Sequence, residues 1–83
     1  MIQLTLYGTV GCHLCAEAEA ILAHGIVRLP GRYAVTLTDI AGHDTLMERY
    51  GVRIPVIRDH DSGAELNWPF GTGELLAFLH SLS

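Results

Sequence analysis

Cys12 and Cys15 stand three apart, with His13 and Leu14 between them. A thiolate is a nucleophile toward disulfides and a soft metal ligand. A Cys-x-x-Cys pair therefore points to redox or metal chemistry before structural stapling. Two thiols supply half of the four ligands a structural zinc site takes. His24, His43, His60 and His80 fall at no ligand spacing, and the chain has no second cysteine pair. A metal site within the chain is not expected.

The elements around the pair set what it can do. Ile2, Leu4 and Leu6 alternate with Gln3, Thr5 and Tyr7, a period of two that predicts a strand. Gly8-Thr9-Val10-Gly11 follows as a loop. From His13 to His24 the period becomes helical, with Leu14, Ala18, Ile21 and Leu22 on one face and Gly25 as the expected stop. The cysteines thus fall where a strand hands over to a helix.

Beyond this unit, Pro30-Gly31 reads as a turn and Tyr33–Asp39 as a second strand. A short helix is expected within Gly42–Tyr50, with Leu46, Met47 and Tyr50 inward and Gly51 as its stop. Pro55–Arg58 reads as a third strand, Asp59–Gly63 as a polar turn, and Ala64–Asn67 as an antiparallel return. Trp68-Pro69-Phe70-Gly71 breaks the pattern. Thr72 or Gly73 then opens a last helix that offers Leu75, Leu76, Phe78, Leu79 and Leu82 to the core. The expected fold is α/β, in the order β-α-β-α-β-β-α. Crossover helices imply parallel first strands, and the final hairpin adds an antiparallel edge. The compact solution is one four-stranded mixed sheet flanked by three helices. At 83 residues this is a single domain, 1–83.

Composition narrows the partners. Apolar residues make up 49% of the chain, enough for a core and too many for disorder. Net charge is −4, with five scattered arginines and no lysine. Nucleic-acid binding wants a basic stripe, and an anionic membrane surface wants a basic patch, so neither partner is expected. No apolar run approaches the roughly 20 residues that span a bilayer. Met1–Tyr7 alternates and lacks the basic residue of a signal peptide. A cytoplasmic monomer is the expectation.

Three features taken together resemble the thioredoxin superfamily, and within it the small bacterial glutaredoxin-like proteins: Cys12-His13-Leu14-Cys15 at the first strand-to-helix junction, Tyr50-Gly51-Val52-Arg53-Ile54-Pro55-Val56 leading into the third strand, and Asn67-Trp68-Pro69-Phe70 before the last helix. The resemblance covers essentially the whole chain. It implies a thioredoxin-like, glutaredoxin-size fold and thiol–disulfide oxidoreductase activity. It also implies a cis peptide at Ile54-Pro55 facing the active cysteine. The partner it implies is a disulfide-containing protein or glutathione, the latter as co-substrate, with no resident cofactor. Two other readings stay open on the same scaffold. One is a redox-silent interaction module, because fold does not fix function. The other is an iron–sulfur cluster bridged between two subunits, which needs one cysteine from each chain.

For an oxidoreductase the residues divide by role. Cys12, at the edge of a helix N-terminus, meets unpaired N–H groups and the positive end of the dipole. That is worth about 0.3–1 kcal/mol, up to about 2. At about 1.36 kcal/mol per pKa unit, the thiol is expected near pH 7 rather than at its ordinary value of about 8.5. Cys15 lies three residues on, about 5–6 Å away on the same face and within disulfide reach. Cys12 is then the attacking thiolate and Cys15, more buried, the resolving one. Gly11 and His13 flank the nucleophile. His13 either assists it electrostatically or is a solvated helix residue. Arg53 either attracts a substrate carboxylate or is a solvated loop charge. The backbone at Ile54, turned outward before Pro55, is expected to pair with an extended substrate. Trp68 and Phe70 either line a groove or close the core.

Overall fold

The computed structural model describes residues 1–29 and 32–82. The turn expected at Pro30-Gly31 lies outside them. The elements are β1 (Ile2–Gly8), α1 (His13–Val27), β2 (Tyr33–Asp39), α2 (Asp44–Tyr50), β3 (Val56–Asp59), β4 (Glu65–Asn67) and α3 (Thr72–Ser81). They form one sheet in the order β2-β1-β3-β4. β1 and β2 are parallel, with Leu4 opposite Val35 and Leu6 opposite Leu37. β3 runs antiparallel to β1, and β4 antiparallel to β3.

The antiparallel β1–β3 pair narrows the expectation that crossover helices make the first strands parallel. α1 has 15 residues and returns the chain along the length of β1. α2 has seven, about 10 Å of helix at 1.5 Å per residue. β1, also seven residues, is about 23 Å long. α2 therefore cannot carry the chain back along the sheet. Gly8 is paired with Asp39 and Tyr7 with Val56, so β2 ends and β3 begins at the same end of the sheet.

Alternation along β1 splits the core between two faces. Leu4 and Leu6 point to α1 and α3 and join Ala18, Leu22, Ile57, Phe70, Leu75 and Leu79. The opposite face holds a smaller cluster of Ile40, Tyr50 and Val56, packed by Tyr7, Leu46 and Ile54. The Tyr7 and Tyr50 rings stack there, 4.3 Å between centroids.

Three side-chain expectations change. Gly25 is not a helix stop: α1 continues to Val27, and Gly25 is buried inside it. A Cβ at Gly25 would come within 2.7 Å of Leu75 Cδ2, so the missing side chain lets α3 approach α1. Leu14 faces outward, and the buried stripe of α1 is Cys15, Ala18, Leu22 and Gly25. Met47 is also exposed, leaving Tyr50 as the buried residue of α2. Trp68 and Phe70 belong to the core. Phe70 is buried, and Trp68 packs edge-on against it with centroids 5.0 Å apart.

Candidate redox site

Cys12 is the N-cap of α1. Its backbone is extended, and its Sγ accepts a hydrogen bond from the Cys15 N–H at 3.1 Å. The Cys12 carbonyl accepts from the Ala16 N–H, so the cap residue closes the first helical turn from both its side chain and its backbone. Sulfur here does what serine or aspartate oxygen does at other helix starts. Cys12 and Cys15 are joined as a disulfide with Cα atoms 5.2 Å apart. Cys15 is 8% exposed, whereas Cys12 is only half-buried. The more exposed of the two cysteines is therefore the one at the helix tip.

Two glycines shape this corner. Gly11 has φ +81°, the left-handed region that side-chain-bearing residues avoid, and the reversal delivers Cys12 to the helix tip. Gly8, the last residue of β1, makes room for Cys15: a Cβ there would stand 3.0 Å from Cys15 Sγ and 3.1 Å from its Cβ. Sequence reasoning places Gly8 in a loop and gives it no role. The signal is a glycine that ends an alternating strand directly before the cysteine loop.

Pro55 comes to the same end of the sheet. One step beyond the Tyr7–Val56 pair, the antiparallel register sets it level with Gly8. The Ile54–Pro55 peptide is cis, as is Trp68–Pro69, and Pro55 is fully buried. The Ile54 N–H donates to the Tyr50 carbonyl at 3.1 Å, which engages the donor half of its backbone.

His13 and Arg53 are placed differently from one another. The His13 side chain is 89% exposed, and its Nε2 lies 3.6 Å from Glu17 Oε2, one helical turn on. The Arg53 guanidinium is held by Glu65 Oε1 at 2.6 Å and Asn67 Oδ1 at 2.9 Å, and lies over the Tyr50 ring. Glu65 Oε2 accepts from the Tyr50 hydroxyl at 2.6 Å and from Arg58 at 3.3 Å. Partial burial works against the Glu65 charge, but the Tyr50 hydroxyl and the two guanidiniums outweigh it and hold the carboxyl below its ordinary range. Burial and the Glu65 carboxylate raise the Tyr50 hydroxyl. Sequence reasoning misses Glu65, which carries no motif and becomes central only once β3 and β4 pair.

Among the described residues, no group of three or more His, Cys, Asp or Glu side chains is arranged to hold a metal ion. Among them also, no helix is long and apolar enough to cross a membrane. An open cleft of about 280 Å³ adjoins Cys15 on the β2 side.

Comparison with known proteins agrees with this fold. The structure is similar to the crystal structure of XcR50 from X. campestris, with 40% identity over 94% of this chain and 96% of that one, and a TM-score of 0.82. It is similar to Ne2328 from Nitrosomonas europaea, with 26% identity over 93% and 89% of the two chains and a TM-score of 0.71. Chloroplastic thioredoxin z, 15% identical with a TM-score of 0.72 over 99% of this chain and 78% of that one, shares the thioredoxin-like fold. A search of curated proteins found no match. The profile of the glutaredoxin-like domain (DUF836) matches residues 3–80, and the chain belongs to that family.

Proposed function

We propose that this protein is a dithiol–disulfide oxidoreductase acting on disulfides of other proteins. The observation that carries the reading is the half-buried Cys12 at the tip of α1, with the Cys15 N–H aimed at its sulfur from 3.1 Å and Cys15 more deeply buried. In the reduced protein that N–H and the helix dipole favour the Cys12 thiolate. The thiolate attacks one sulfur of a substrate disulfide. A Cys12–substrate disulfide forms, and the other substrate sulfur leaves as a thiolate. Cys15, once deprotonated, attacks Cys12 Sγ. The Cys12–Cys15 disulfide forms, and the second substrate thiol is released. Two electrons pass from the dithiol to the substrate, and an external thiol reductant must restore the pair.

Protein disulfides suit the site better than glutathione. Arg53, the cation beside Ile54-Pro55, is already held by Glu65 and Asn67, so a small substrate's carboxylate would compete with internal partners for it. The Ile54 carbonyl remains as the acceptor half of a strand-like pairing with substrate. The test is reduction of a disulfide-bonded protein by the reduced chain under a dithiol reductant. Turnover above the reductant alone, lost in Cys12→Ser, is expected. Turnover that persists in Cys12→Ser, or none in the native chain, contradicts the proposal.

A further inference from the structure

We infer that the cleft beside Cys15 receives a lysine or arginine side chain of the substrate, which makes the protein selective for disulfides flanked by basic residues. This rests on the oxidoreductase reading above. The cleft is lined by buried Leu6 and Cys15, by exposed Val10 and Leu37, and by two exposed carboxylates, Glu19 of α1 and Asp39 of β2. Among the described residues that line it, none is basic. Val10 is 88% exposed and Leu37 56%, an apolar surface next to the redox pair. Leu37 shares the helix-side face of the sheet with Leu6, its partner in register. It lies on β2, an edge strand of the sheet.

Size and chemistry select the occupant. Clefts for drug-sized ligands run from about 300 to 1,000 Å³, so this one accommodates a single long side chain. An aliphatic stem lies along apolar surface while its charged head stays with polar partners at the edge, as lysine and arginine side chains do. Here the stem would cover Val10 and Leu37, and the head would meet Glu19 and Asp39. Asp39 Oδ1 also accepts from the Ala41 N–H, which fixes its carboxylate at the end of β2. Glutathione, with two carboxylates against one ammonium, is poorly matched to this rim. Arg53, a cation that could otherwise draw such carboxylates, is engaged by Glu65 and Asn67.

The experiment compares two short disulfide-bonded peptides, identical except for a lysine or a glutamate beside the cysteine. Each is reduced by the reduced protein. The expected kcat/KM ratio favours the lysine peptide by roughly three- to tenfold, the range for a pair of solvent-facing charge contacts. That ratio should fall toward one in the double variant Glu19→Gln/Asp39→Asn, in which asparagine keeps the acceptor for Ala41. A second readout needs no variant. Raising salt from about 0.01 M to about 1 M shortens the screening length from about 30 Å to about 3 Å and should erase the native preference. Equal rates on both peptides, or a preference that survives either the double variant or high salt, overturn the cleft assignment and leave the Cys12–Cys15 chemistry standing. Reduction of neither peptide overturns the oxidoreductase reading itself.

Discussion

The Cys15 backbone N–H points at Cys12 Sγ from 3.1 Å, so the amide of one cysteine caps the sulfur of the other. The donor belongs to the backbone of the first turn of α1 and not to the disulfide itself. In the reduced protein the Cys12 thiol should therefore ionise below the ordinary cysteine value of about 8.5. The pH dependence of its alkylation measures this. A midpoint clearly below about 8.5 is expected, and a midpoint at or above that value would show that the cap does not act on the thiolate.

Gly8→Ala would place a methyl group 3.0 Å from Cys15 Sγ, closer than unstrained contact allows. The methyl would meet both Sγ and Cβ of Cys15, whose side chain is tied to Cys12 by the disulfide and is not free to rotate away. Overpacking of this kind costs about 1–3 kcal/mol. Urea denaturation of the oxidised protein should show a loss in that range, and disulfide turnover should fall with it.

Gly25→Ala sets two effects against each other. Alanine is favoured over glycine inside a helix by about 0.5–1 kcal/mol. The added methyl would also meet Leu75 Cδ2 at 2.7 Å in the α1–α3 contact, at about 1–3 kcal/mol. The clash outweighs the gain in helix propensity, so net destabilisation is expected in urea denaturation. A stabilised variant would mean that Leu75 changes rotamer at little cost.

Two carboxylates make the fold sensitive to acid. Asp59 is 4% exposed. The Ser62 hydroxyl and backbone N–H bonds hold its carboxyl below the ordinary range against the cost of burial. Glu65 is held low in the same sense by Tyr50, Arg53 and Arg58, again against burial. Depressed folded pKa values mean that these groups contribute their full stabilisation above the ordinary carboxyl range and lose it as pH falls through the folded values. Stability should therefore be flat above about pH 5 and fall below about pH 4. Asp59→Asn should cost about 1–3 kcal/mol at neutral pH and show a shallower acid limb. A variant whose acid limb matches the native one would remove Asp59 from this role.

The order of elements and the placement of the cysteines were legible because each rests on local information. Alternation in Ile2–Tyr7, helical spacing after His13 and turn residues at Asp59–Gly63 need no knowledge of distant contacts. The misreadings share an origin in long-range packing. Gly25 resembles a helix stop until α3 is laid against it, when its bare Cα becomes a contact point for Leu75. Leu14 satisfies the helical period as well as Cys15 does, but the end of β1 at Gly8 decides which of them turns inward. Arg53 reads as a free cation in sequence. Only the β3–β4 hairpin brings Glu65 and Asn67 to its guanidinium.

The measurement that reaches the central claim most directly is a trapping experiment with Cys15→Ser. The variant keeps the backbone N–H that caps Cys12 but has no second thiol to complete the exchange. Incubated with a disulfide-bonded protein and digested without reductant, it should yield a covalent adduct that mass spectrometry places on Cys12, while Cys12→Ser yields none. An adduct on Cys15 in Cys12→Ser, with none on Cys12 in Cys15→Ser, would contradict the assignment of attacking and resolving sulfurs.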